Sequence, residues 1–113
     1  MSAYAVAHMH EVTVGPPIAE YLEKIDATLA PFHGRFLVHG GQIEVVEGSW
    51  PGNLIVIEFP DRDRLRDWYH SGAYQQILAL RTGNSRSDVI FADGVSEDHL
   101  ATDVLPPALR RGA

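Results

Sequence analysis

Two short segments, Ala3 to Met9 and Leu54 to Phe59, carry apolar residues at both alternating positions of an extended chain. Ala5 and Ala7 stand against Val6, and Ile55 and Ile57 against Val56. Successive side chains of a strand point to opposite faces of its sheet, so both faces of these strands must be shielded from water. A chain of 113 residues amounts to one domain, with helices enough for one face only. A second copy of the same chain is the simplest cover for the other.

The segments between them supply the rest of the pattern. Ile18, Tyr21, Leu22, Ile25 and Leu29 recur at helical spacing and form one apolar stripe. Pro16 and Pro17 fit the first turn of that helix, Glu20 and Lys24 make an i,i+4 pair, and Pro31 ends it. Arg35 to His39 reads as a second strand, with Ile43 to Val46 a candidate extension beyond Gly40-Gly41. Gly48 to Asn53 is a turn cluster around Trp50. After the strand Leu54 to Phe59, Asp61 is placed to cap a helix whose inner face holds Leu65, Trp68 and Tyr69. Gly72 interrupts that pattern, and Tyr74, Ile77 and Leu78 resume it through Arg81. Thr82 to Ser87 reads as a loop and Val89 to Ala92 as a fourth strand.

The order is strand, helix, strand, strand, helix, strand. Short, right-handed connections fold it into an α+β ferredoxin-like βαββαβ domain: a four-stranded antiparallel sheet with two helices on one face. Strands one and three lie in the middle, and two such sheets facing each other make a dimeric α+β barrel. The domain spans residues 1–95. Residues 96–113 form a C-terminal extension in which Glu97 to Leu105 can be helical and Pro106-Pro107 stops it. Docking onto the partner subunit is one use for such a tail.

Composition narrows the function classes. The chain has no cysteine, which removes disulfides, thiolate metal sites and cysteine nucleophiles. Nine Lys and Arg against 15 Asp and Glu leave a formal charge of −6, so nucleic acid is not an expected partner. No apolar run reaches the roughly 20 residues of a membrane span. Met1 to His10 lacks a basic leader, and a cytoplasmic location is expected. No glycine-rich phosphate loop or Gly-x-Ser-x-Gly elbow is present, and no motif calls for a cofactor.

Several stretches carry a family resemblance. Gly-Arg-Phe-Leu-Val-His-Gly-Gly (Gly34 to Gly41), Glu-Val-Val-Glu-Gly-Ser-Trp (Glu44 to Trp50) and Val-Ile-Glu-Phe-Pro (Val56 to Pro60) follow in order, with Trp68-Tyr69 and Tyr74-Gln75 behind them. Together, over about Tyr4 to Val95, they resemble the domain-of-unknown-function family 1330 of the dimeric α+β barrel superfamily. The resemblance implies the barrel dimer and no established reaction. The superfamily includes cofactor-independent monooxygenases, isomerases, stress-responsive barrel proteins and haem-dependent peroxidases. Two positions depart from the family pattern: His39 stands where an arginine is expected and His33 where a glycine is expected.

Candidate chemistry centres on three groups. Six histidines beside a single lysine are an unusual allocation. His8 and His10, two apart on a strand, share a face at roughly 6.5 Å and can present two imidazoles to a metal. Strands one and two run parallel, which brings His39 to the same end, and strand four brings Asp88 near His10. The alternative is strand-end histidines partly exposed to water, or packed in the dimer seam. Glu58, an acid inside an apolar run, is the second candidate: desolvation would raise its pKa and suit it to proton transfer, with Tyr21 and Tyr69 facing it. Its structural alternative is a carboxylate hydrogen-bonded to a tyrosine hydroxyl or paired with Arg35 across the sheet. Trp50 and Trp68, with Arg35, are the candidate substrate contacts. Trp68 also fits plain core packing, and Trp50 can cap either a pocket mouth or the dimer edge.

The expected function is therefore a homodimer that encloses a small apolar organic molecule between helices and sheet. If catalytic, it is a cofactor-independent enzyme for proton transfer, isomerisation or monooxygenation, with Glu58, His39, Tyr69 and Tyr21 at work. The competing readings are a non-catalytic binding or assembly module, and a metal-dependent site at His8 and His10.

Overall fold

A computed structural model describes residues 1–111. Gly112 and Ala113, the end of the expected extension, lie outside the described residues. The elements are β1 (Ala3–Val12), α1 (Pro16–Leu29), β2 (Arg35–His39), β3 (Asn53–Phe59), α2 (Arg62–Tyr69), α3 (Gly72–Thr82) and β4 (Ser85–Asp93). The sheet is antiparallel between all neighbours, in the order β2-β3-β1-β4. The two doubly apolar strands, β1 and β3, occupy the centre as the sequence pattern predicts.

Each helix starts and stops for a local reason. α1 begins at Pro16 and Pro17, whose fixed φ suits a first turn, and Lys24 Nζ donates to Glu20 Oε2 at 3.0 Å. A single 3₁₀ turn over Ala30–Phe32 follows, and His33 then takes a left-handed φ of 59°. Asp61 caps α2 by accepting from the Arg64 backbone N–H at 2.7 Å. The second expected helix is two: Ser71 Oγ accepts from the Tyr74 N–H and donates to the Trp68 carbonyl, capping one helix while closing the other.

The core is the layer between the helices and one sheet face. Ala3, Ala5, Ile57 and Phe59 point up from the sheet, and Leu29, Ile25, Leu65, Trp68, Tyr74 and Ile77 point down from the helices. Trp68 Nε1 donates to Thr28 Oγ1 at 3.0 Å, and that hydroxyl donates to the Ile25 carbonyl. The one polar atom of the indole is thereby satisfied inside an apolar layer.

Three element boundaries differ from the sequence reading. β4 starts at Ser85, inside the expected loop, because its polar half pairs through the backbone with the end of β1. Ile43 to Val46 forms no strand; these side chains are exposed, and the Gly40 turn carries the chain off the sheet edge. The tail after Val95 folds into two short 3₁₀ turns, Ala101–Val104 and Pro107–Leu109, rather than a helix. The radius of gyration, 16.8 Å, exceeds the roughly 13 Å of a compact chain this long, and the 40–52 segment and the tail are mostly exposed.

Gly34 marks the tightest approach in the core. A Cβ there would lie 2.7 Å from Phe59 Cε1 and 2.8 Å from Leu29 Cδ2, both on buried side chains with no room to yield. Gly34→Ala is expected to destabilise the fold by about 1–3 kcal/mol in urea denaturation, and a neutral effect would contradict this packing.

Candidate functional site

The helix-facing residues of the central strands are unequal in size. Ala5 and Ala7 on β1 are small, whereas Ile55 and Ile57 on β3 are large. Over the alanines the helices cannot close down fully, and a cavity of about 300 Å³ remains between α1, α3 and the sheet. Its walls are almost entirely apolar, with Ile18, Ile25, Ile57 and Met9 among them. One end opens past Leu22, Val14, His39 and Gly40. Leu22 belongs to the helical stripe yet is 45% exposed, because it lines the opening instead of the core.

Polar groups meet in the cavity's buried wall. Tyr21 Oη lies 2.9 Å from Tyr74 Oη, and both rings are buried. Burial pushes the Tyr21 phenol far above its ordinary pKa, and the neighbouring Tyr74 adds to the shift, so Tyr21 stays a neutral proton donor. Arg81, on the last turn of α3, is 8% exposed and donates from Nη1 to Ser87 Oγ at 3.1 Å. Burial works against its charge, but the oxygens of Tyr74 and Tyr21 outweigh that and hold the guanidinium protonated. Arg81 also borders a second, more open hollow beside Ser85 and Arg86.

The expected site residues divide between the two sheet faces. Tyr21, Tyr69, Trp68 and His39 all line the cavity; the His39 ring stacks on Phe36 with centroids 4.2 Å apart. Glu58 and Arg35 lie on the opposite face, since they pair with each other and with Tyr4 across β2, β3 and β1. The expectation that Tyr21 and Tyr69 face Glu58 is therefore corrected by the pleat: Glu58 alternates with Ile57, which points to the helices. Its expected pKa rise is corrected too. Arg35 Nε donates to Glu58 Oε1 at 2.9 Å and Tyr4 Oη donates to Oε2 at 3.4 Å, and the Arg35 bond above all holds the carboxyl below its ordinary 4.5.

The histidines separate in the same way. His39 reaches the end of the sheet shared with His8 and His10, but on the cavity face. A bulge at His10 brings its ring onto that of His8, with centroids 3.7 Å apart, and Trp50 stacks on the far side of His8 at 3.9 Å. His8 Nε2 donates to the Pro51 carbonyl at 2.8 Å, and His10 Nε2 donates to Asp88 Oδ2 at 2.9 Å, the pairing expected from strand order. Gly52 allows this loop to pass against β1: at φ +85°, a Cβ would sit 1.8 Å from the Met9 carbonyl oxygen. Among the described residues, no group of three or more His, Asp or Glu side chains could hold a metal ion. Among the described residues, no helix is long and apolar enough to cross a membrane.

Sequence reasoning placed Tyr74 and Arg81 on a helix without assigning them to a site. The available signal was their spacing: positions 74 and 81, seven apart, fall on one side of α3 with Ile77 between them.

Comparison with known proteins fits this fold. The model of the family described as a domain of unknown function (DUF1330) matches residues 2–95. A protein of unknown function from Rhodopseudomonas palustris is similar at 14% identity and TM-score 0.65, over 84% of this chain and 83% of that one. A dimeric ferredoxin-like protein of unknown function from Jannaschia sp. is similar at 12% identity and TM-score 0.65, over 83% of this chain and 100% of that one. SnoaB, a cofactor-independent oxygenase from Streptomyces nogalater, is similar at 16% identity and TM-score 0.51, over 84% of this chain and 94% of that one. No curated protein matches the sequence.

The Glu58 pair makes a pH prediction. Its folded-state pKa lies below the unfolded one, so its contribution to stability is present above the unfolded value and is lost as pH falls through the folded value. In Arg35→Gln, the Glu58 carboxyl titration followed by ¹³C NMR is expected to move up toward the ordinary value. An unchanged midpoint would show that Arg35 is not the cause.

Proposed function

The chain belongs to the DUF1330 family, and on that footing we propose that it is a homodimeric binding protein for a small, largely apolar organic molecule. The observation that carries this reading is the apolar cavity of about 300 Å³, open at one end, with Tyr21, Tyr74 and Arg81 converging in its wall. That volume falls at the lower end of the range for small-molecule sites, and few convergent polar groups in an apolar wall are their usual composition.

The dimer rests on the other face of the sheet. Val6, Val56, Val38 and Ile90 alternate outward there, and Ile90 is 59% exposed. An apolar sheet face without helices needs a partner, and a second copy supplies one by symmetry. Similarity to a dimeric ferredoxin-like protein supports the same arrangement. The tail joins it in this reading: Leu100, Val104 and Leu109 are exposed, and they dock on the partner.

A catalytic use is favoured by one observation: His39 at the opening and the two phenols share one cavity. A cofactor-independent enzyme could place a proton donor, Tyr21 or Tyr74, against developing negative charge and use His39 as the base. Tyr69 and Trp68 would orient the substrate. Glu58, across the sheet, does not reach a ligand held there.

Two variants test the two halves of this reading separately. Ala7→Phe, which fills the cavity floor, is expected to weaken uptake of the neutral fluorescent probe N-phenyl-1-naphthylamine by roughly tenfold or more while the protein stays dimeric. Ile90→Lys is expected to give a monomer in light scattering that still binds the probe. Unimpaired probe binding in the first variant would sink the cavity reading, and a persistent dimer in the second would sink the interface.

A further inference from the structure

Among the described residues, every arginine that meets a carboxylate does so near the surface. Arg35 pairs with Glu58, Arg62 with Asp93, Arg64 with Asp61 and Arg86 with Glu11. Arg81 is the buried one, and it meets Ser87 and two phenols but no carboxylate among the described residues. A buried cation without a counter-charge is costly, and proteins ordinarily pair it or leave it out. The cavity wall beside it contains no Asp or Glu.

We propose that the missing counter-charge is the ligand's own: the cavity binds a small apolar carboxylic acid as its anion, with Arg81 on the carboxylate. This deepens the binding function proposed above and rests on it. The guanidinium offers a planar fork of donors matched to a carboxylate. Tyr21 and Tyr74 have two phenolic protons and use one between their oxygens at 2.9 Å, which leaves the other free to donate to the same anion. The hydrocarbon part lies along Ile18, Ile25 and Ile57 toward the opening. The chain as a whole is acidic, with a formal charge of −6, so long-range attraction does not deliver an anion and recognition is local. Neutral isosteres such as primary amides leave the guanidinium with the phenols and Ser87 but no counter-charge, and bind less well.

Calorimetry on the full chain tests this with two acids, octanoate and 4-phenylbutanoate, each against its primary amide. The wild-type protein is expected to prefer both acids by about tenfold or more, the usual worth of a charged hydrogen-bonded pair. Arg81→Met is expected to lose that preference while still binding the amides, and Arg81→Lys to keep part of it. Ligand-free Arg81→Met is expected to melt somewhat below wild type, because its bonds to Ser87 and the phenols are lost, so the acid-over-amide preference and not the melting temperature is the readout. Equal binding of acid and amide by wild type would overturn the anion assignment and leave the cavity reading standing. Binding of neither would take both down. If Arg81→Met unfolds, and a folded Arg81→Lys binds amide as well as acid, Arg81 is structural and the assignment falls.

Discussion

The pairing of β1 with both of its neighbours is the constraint on which the rest of the molecule depends. β1 is hydrogen-bonded along its length to β3 on one side and β4 on the other, so its two rows of side chains form the middle of both sheet faces. One row, Ala3, Ala5, Ala7 and Met9, is small where the helices cross. The other, Tyr4, Val6, His8 and His10, is larger and faces outward. Small side chains under rigid helices leave volume, since close-packed interiors relax only partly to fill it. The cavity is thus a consequence of alanine on a central strand, and the aromatic residues Trp68, Tyr69 and Tyr74 bound it because they descend from α2 and α3 onto the same row.

The sheet also separates two kinds of electrostatics. On the outward face, polar and charged groups are partnered within the chain: Glu58 with Arg35 and Tyr4, His10 with Asp88. These groups are satisfied in the free subunit and suit a face that meets water or a partner. On the cavity face, the buried wall carries Arg81, held protonated by phenols rather than by an acid. Tyr21, kept neutral by burial, adds a donor. Glu58 does not compensate Arg81: it faces the other side of the sheet beside Tyr4, whereas Arg81 meets Ser87, which pairs with Met9 five residues further along β1.

Much of the fold was legible in the residue pattern. The stripe from Ile18 to Leu29 gave α1, Asp61 marked the start of α2, and the doubly apolar runs identified the two central strands. Where the reading slipped, backbone pairing outweighed side-chain pattern. Ser85 to Asp88 is polar and still forms strand, since β1 offers it a ladder. Ile43 to Val46 is apolar and forms none, since the chain has left the sheet by then. The residues lining the cavity were legible only in part. His39, Tyr21, Tyr69 and Trp68 were named from residue type and do share one cavity. Glu58 was named for its apolar neighbours, but neighbours in sequence along a strand are not neighbours in space.

The sequence by itself determined the element order, the central strands, the capping signals and an excess of apolar surface beyond what two helices can cover. Those follow from local periodicity, which every residue carries with it. Only the tertiary structure decided which row of each strand faces the helices, and with it which polar groups share a space. That choice depends on strand register and on bulges such as those at His10 and Leu37, where one added residue shifts the pairing. It turned the supposed Glu58 site into a surface ion pair. It also brought Tyr21, Tyr74 and Arg81, up to 60 positions apart along the chain, to one buried wall.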